Sequence, residues 1–142
     1  MVPNNASMNL TTLLHTPGVA QAGVEAKLAA VGLSLAKLAA LQALIDAGDA
    51  LPLNQLADRL SCVRSNITQL VDRLEADGLV RRRTDPHDRR LRLAVLTPAG
   101  RRACDEGTRV KASAERDLLC SLSRQEAEQL RTLLGKLAGS TA

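Results

Sequence analysis

The stretch LNQLADRLSCVRSNITQLVDRLEADGLVRRRTDPHDRRLRLAVLTPAG, residues 53–100, changes its hydrophobic period once, and that change decides the fold. In its first half Leu53, Leu56, Ala57 and Leu60 fit the i, i+3, i+4, i+7 spacing of a helical stripe, and Ile67, Leu70, Val71 and Leu74 repeat it. Ser61, Cys62 and Val63 lie between the two stripes, too few residues for anything but a tight turn. Two short amphipathic helices so joined are a helix-turn-helix. Gly78 stops the second helix, and the period then falls to two. Residues 79–83 and 91–97 are strand-like, with Leu91, Leu93 and Val95 on one face of the second run. Thr84 to Arg90 is a polar connection with turn chemistry, so the two runs form a hairpin. A hairpin placed directly after a helix-turn-helix is a wing.

Upstream, Ser34 is an expected N-cap for a helix carrying Leu38, Leu41 and Ile45 and closed near Gly48. Val24, Leu28 and Val31 mark an earlier helix from Val19 that Gly32 ends. Pro17 and Gly18 are expected to break it from the apolar stretch of Leu10, Leu13 and Leu14, with Met1 to Ser7 a loose leader. Downstream of Pro98 the pattern is helical again, with a weak stripe of Ala103, Val110, Ala114 and Leu118. Ser123 and Glu126 have capping-box spacing, followed by a narrow stripe of Leu130, Leu133, Leu134 and Leu137. A lone terminal helix cannot bury such a stripe, so it is expected to pack on the N-terminal helices or on a second subunit.

The chain of 142 residues suffices for one domain with its own core, or for a small domain plus an oligomerisation arm, and its complete lack of Phe, Trp and Tyr requires a core of Leu, Val, Ile and Ala. The net charge of +4 is unevenly placed. Between Pro52 and Arg102 stand eleven Arg, no Lys and six acidic residues, a balance of +5, so the remainder is slightly acidic. An arginine-rich middle third points to an anionic partner recognised through bidentate contacts. Neither a secretory leader nor an apolar run near the ~20 residues of a membrane span is apparent, so the expectation is a soluble cytoplasmic protein without a membrane partner.

With Ile67, Leu70, Val71 and Leu74 turned to the core, the opposite side of their helix carries Ser65, Gln69 and Asp72, flanked by Asn66, Thr68 and Arg73. Ser, Asn, Gln and Arg hydrogen-bond base edges, and they cluster toward the N-terminal end that enters a major groove. The alternative, an ordinary solvated face, is outweighed by the preceding turn, the following wing and the nearby arginines. Asp72 would repel phosphate, so it should sit beyond the groove or pair with an arginine such as Arg73. Arg81, Arg82 and Arg83 on the first wing strand and Arg89 and Arg90 at its tip form a second basic group suited to a minor groove. Alternation points Arg82 away from Arg81 and Arg83. Some of these arginines, Arg82 and Arg90 first, could instead pair with Asp85, Asp88 or Glu75 to hold the wing.

Residues 33–102 resemble the MarR family of winged-helix regulators. The wing signature D-x-R-x5-L-T-x-x-G falls on Asp88, Arg90, Leu96, Thr97 and Gly100, and the run DRLEADGLVRR matches the end of the recognition helix and the first wing strand. The resemblance implies a mainly α fold with a small β-hairpin wing. It implies N- and C-terminal dimerisation helices (residues 1–32 and 101–142) around a winged helix-turn-helix at residues 33–100. It further implies a homodimer on double-stranded DNA, one winged domain per half of a palindrome. Arg64, Ser65, Asn66, Thr68 and Gln69 would contact groove or phosphate, with Arg73, Arg83 and Arg89 in the same basic surface. Arg90 would reach the minor groove and Asp88 would orient it. Such proteins usually repress transcription and release DNA when a small-molecule effector or an oxidant acts. Val63 stands where the family usually has a small hydroxyl residue capping the recognition helix.

No aromatic side chain is present to stack on an effector, although aliphatic ones could line an apolar pocket. Cys62, in the turn before the recognition helix, is a possible redox switch, or simply a small buried hydrophobe. The three cysteines show neither disulfide nor zinc spacing, and His15 and His87 stand apart from other ligands, so no metal site and no cofactor are assigned. An enzyme would need a nucleophile with a base, a carboxylate pair or a phosphate loop, and none stands out. A winged-helix module used only for protein contacts would not need the polar recognition helix or the wing arginines.

Overall fold

The computed structural model describes residues 10–62 and 64–139, with side chains from His15 onward apart from that of Arg64. The elements run α1 (Leu10–Ala29), α2 (Leu35–Asp46), β1 (Ala50–Pro52), α3 (Leu53–Arg59), α4 (Arg64–Ala76), β2 (Val80–Thr84), β3 (Arg92–Leu96), α5 (Pro98–Leu119) and α6 (Arg124–Leu137). This is the mainly helical chain with a small wing that the periodicity implied.

Local chemistry sets the boundaries. Ser34 caps α2, its hydroxyl accepting from the Lys37 N–H at 3.1 Å, while Glu25 of α1 accepts from the Leu35 N–H. The helix closes where Gly48 and then Asp49 take positive φ. In the turn between α3 and α4, Ser61 also lies at φ 53, and the Cys62 N–H donates to the Ala57 carbonyl. Ser123 and Glu126 make both halves of a capping box on α6.

One core joins helices α1 to α5 and the sheet. Leu41 and Leu44 of α2, Leu56 of α3, and Ile67, Val71 and Leu74 of α4 are buried with Leu28 of α1, Val80 and Ala94 of the sheet, and Cys104 of α5. Each fully buried Leu, Ile or Val contributes about 1.5–3 kcal/mol relative to leaving it exposed. Gly107 of α5 admits the close approach of Leu33 and Leu38, since a side-chain carbon there would fall 2.6 Å from Leu33 Cδ1. Lys27 of α1 pairs with Asp117 of α5 at 2.6 Å, and Lys37 of α2 with Asp77 beyond α4 at 2.7 Å.

The fold differs from the sequence reading at α1 and in the sheet. The expected break at Pro17-Gly18 is absent: α1 runs through with Pro17 inside it. A proline forfeits one helical hydrogen bond and costs about 3 kcal/mol, but α1 packs along α5 and seats Leu28 fully in the core. The sheet also has a third strand. β1 pairs antiparallel with β3, Leu51 opposite Ala94, giving the order β1-β3-β2. Three residues ending in a proline are too short to show a period.

Among the described residues, nothing buries the leucine stripe of α6. Among the described residues none of α6 is buried, and Leu133 and Leu137 are 56% and 68% exposed. No helix among the described residues is long and apolar enough to cross a membrane.

Candidate nucleic-acid interface

The polar face of α4 stands as the helical wheel placed it. Ile67, Val71 and Leu74 are buried, which leaves Ser65, Asn66, Thr68, Gln69, Asp72 and Arg73 exposed. The first turn of α4 carries no acidic residue, so the positive end of its dipole is uncompensated. Arg64 belongs to this helix, but its side chain, like Val63, falls outside the described residues.

Beside this face lies an arginine that the sequence reading left between two roles. Arg82 of β2 bonds to three acceptors on α4: Asp72 Oδ1 at 2.6 Å, Glu75 Oε1 at 3.1 Å and the Thr68 carbonyl at 3.2 Å. Its backbone N–H donates to the other Glu75 oxygen at 2.9 Å. That N–H is the main reason the Glu75 carboxyl titrates below the ordinary glutamate range, the Arg82 guanidinium adding to it. Asp72 is therefore paired, but with Arg82 rather than the neighbouring Arg73. Residues 72 and 73 are adjacent on a helix and point about 100° apart, whereas the strand carries Arg82 across to meet Asp72.

The wing tip is built by its own aspartates. Asp85 accepts from the His87 N–H at 2.7 Å, and Asp88 Oδ1 from the Arg90 N–H at 3.0 Å, two local turns of the kind Asp favours. Asp88 also receives Arg90 Nε at 3.3 Å. The Arg90 side chain is nonetheless 92% exposed. Arg83 and Arg89 are exposed as well; Arg83 and Arg81 take the strand face opposite Val80 and Arg82.

Between the wing and the two helices lies a groove of about 330 Å³ whose lining includes Asn54, Thr68, Arg90 and Arg92. Asn54 and Arg92 belong to this surface and were not among the residues expected from sequence. Arg92 continues the basic run of the wing onto its second strand, a signal that was available; Asn54 carries none.

Away from this surface, a cavity of about 590 Å³ opens between α2, the end of α3 and α5, with Leu35, Leu38, Gln42, Arg59, Leu60 and Lys111 in its wall. Cys62 is half-buried, its thiol 3.7 Å from the Leu60 carbonyl. Cys104 is buried against Gln42, and burial pushes its thiol pKa up; Cys120 is exposed. Among the described residues no cluster of His, Cys, Asp or Glu could hold a metal ion.

A protein-family model described as MarR family matches residues 31–91. The chain is similar to the HTH-type transcriptional regulator MhqR of Bacillus subtilis (strain 168), 30% identical over 106 residues, covering 75% of this chain and 72% of that one. It is 36% identical over 84 residues to the uncharacterized HTH-type transcriptional regulator YkoM of the same organism. That match covers 59% of this chain and 54% of YkoM, about half the length of that relative. Among solved structures, a mutant MarR from E. coli complexed with operator DNA aligns at TM-score 0.77 and 25% identity, covering 94% of this chain and 96% of that one. CouR from Rhodococcus jostii RHA1, bound to p-coumaroyl-CoA, aligns at TM-score 0.74 and 27% identity over 99% of both chains.

Proposed function

Because the chain belongs to the MarR family of HTH-type transcription regulators, we propose that it represses transcription in the cytoplasm as a homodimer on a palindromic operator. A small ligand or an oxidant releases it. The observation that carries this reading is the single surface formed by the exposed Ser65, Asn66, Thr68 and Gln69 of α4 and the Asp88-oriented Arg90 of the wing.

On this reading Asn66, Gln69, Ser65 and Thr68 read base edges in the major groove, and Arg64 and Arg73 contact its flanking phosphates. Arg90 enters the adjacent minor groove, with Arg83 and Arg89 on the backbone beside it. Residues 1–32 and 101–142 supply the dimer contacts, and the uncovered leucines of α6 support this. A dimer sets two half-sites about 10 base pairs apart. The cavity between α2, the end of α3 and α5 is the proposed ligand site: its aliphatic wall suits a small apolar molecule, and Asp46, Arg59 and Lys111 are the charged groups of its lining. Cys62, beside the turn that launches α4, is the proposed point of attack for an oxidant.

The test is a titration on duplex DNA from the protein's own upstream region, at two salt concentrations and against scrambled competitor. Salt-sensitive binding that survives competitor, two chains per site, is the expected result. Indifference to sequence across a genome-wide selection of bound fragments would overturn it in favour of a winged module that serves protein contacts alone.

A further inference from the structure

Arg82 of β2 is turned onto α4 rather than out to solvent. Its side chain is only 21% exposed; the guanidinium donates hydrogen bonds to Glu75 and the Thr68 carbonyl and is ion-paired with Asp72. These three residues are spaced i, i+4, i+7, which puts them in one row along α4, the row that faces the wing. Two residues nearer the root of the same strand, Val80 sits in the core. Val80 therefore anchors the base of the wing, and Arg82 ties the next step outward to the side of the recognition helix.

We propose that Arg82 is a positioning residue for DNA recognition, which together with Asp72 and Glu75 fixes the angle between the wing and α4. The proposal rests on the DNA-binding reading above. An isolated surface ion pair contributes little to stability, and the argument here is one of geometry. A planar guanidinium that meets three acceptors, with its own backbone N–H held by the same Glu75, allows one orientation of the strand. The wing tip and the base-reading face of α4 must reach two grooves at once, so an error in that angle moves Arg90 out of reach while α4 stays seated. The same contacts neutralise two carboxylates that would otherwise stand beside phosphate.

Position and charge make different forecasts, and four proteins separate them: wild type, Arg82→Ala, Arg82→Lys, and the double variant Asp72→Asn with Glu75→Gln. Without DNA, amide hydrogen exchange over residues 81–95 is expected to speed up about tenfold or more in all three variants, with α2 and α5 unchanged. Lysine keeps the charge but lacks the fork, so its failure to rescue separates geometry from charge. On operator DNA, the hydroxyl-radical protection left by the wing in the minor groove should disappear in all three while major-groove protection from α4 persists. Affinity should fall about ten- to a hundredfold for Arg82→Ala, the size expected for losing one groove contact. If charge alone mattered, the double variant would bind more tightly and keep its wing footprint; that outcome overturns the proposal, as does unchanged exchange in Arg82→Ala. A wild-type protein without preference for any duplex would sink the DNA-binding reading instead, and the DNA-free exchange data would still report whether the clamp exists.

Discussion

Gly100, in the first turn of α5, packs backbone to backbone against Leu79: a side-chain carbon on Gly100 would fall on the Leu79 carbonyl oxygen. The same carbonyl accepts from the Thr97 N–H at 3.1 Å. Thr97 in turn donates its hydroxyl to the Gly78 carbonyl at 2.7 Å and accepts from the Gly100 N–H at 3.0 Å. The Leu-Thr-x-x-Gly end of the wing motif is thus a joint, where the start of a long helix is pressed onto the chain as it leaves α4. Gly100→Ala should destabilise the fold by about 1–3 kcal/mol or more, since the obstacle is backbone and cannot rotate away. Urea unfolding followed by circular dichroism measures this. Gly107→Ala should cost less, because there the obstacles are leucine methyl groups and alanine favours the helix by about 1 kcal/mol.

At the wing tip, Arg90→Ala should weaken operator binding by about 1–3 kcal/mol and lower the dependence of log K on log salt by about one. Asp88→Ala leaves the charge of Arg90 but removes its orienting carboxylate, so affinity should fall while the salt slope holds. Gln69→Ala should instead relax discrimination between operator and scrambled DNA. Fluorescence anisotropy at several salt concentrations distinguishes the three; identical behaviour would remove the distinction between wing and recognition helix.

Paired substitution of Leu133→Asp and Leu137→Asp should convert a dimer to monomers without unfolding the winged domain, because neither side chain is buried within the chain. Analytical ultracentrifugation gives the mass and circular dichroism the helicity. A variant that stays dimeric would place the dimer contact elsewhere.

Acid should loosen the wing. The Glu75 carboxyl is lowered by its bond from the Arg82 N–H, so its contribution is present above the ordinary glutamate pKa of about 4.3 and is lost as pH falls through the lower, folded value. Exchange of the Arg82 amide, corrected for intrinsic pH dependence, should rise below about pH 4 in the wild type. Glu75→Gln should show no such step.

The thiols should label in order of exposure. Cys120 is expected to react first with a maleimide, Cys62 more slowly, and Cys104 only on unfolding, since burial keeps it protonated and out of reach. Mass spectrometry of the time course checks this. Peroxide that weakens DNA binding in the wild type but not in Cys62→Ser would support oxidant release through that residue.

The elements that sequence revealed are those whose signal is local. Ile67, Leu70, Val71 and Leu74 announce α4 because they must face one core, and Ser123 with Glu126 announces the start of α6 because a cap is made within four residues. β1 was invisible because its pairing, Leu51 with Ala94, is between residues far apart in the chain. Pro17 misled because a local penalty was outweighed by packing along α5. The exposed face of α4 followed from placing its buried stripe. Arg82 did not, because alternation shows only that it turns away from Arg81 and Arg83, and its partners depend on where the strand crosses the helix.

The order of the small sheet has a mechanical consequence. β3 lies between β1, which runs straight into α3, and β2, which leaves α4, and it leads directly into α5. The Leu96 N–H also reaches back to the Asp49 carbonyl at 2.7 Å. The wing is thus a cantilever whose root is shared by the entry to the first helix of the helix-turn-helix and the exit from the second. Torque applied along α5 would therefore arrive at Thr97, where the joint of Gly100 and Leu79 would pass it to the wing and the recognition helix together.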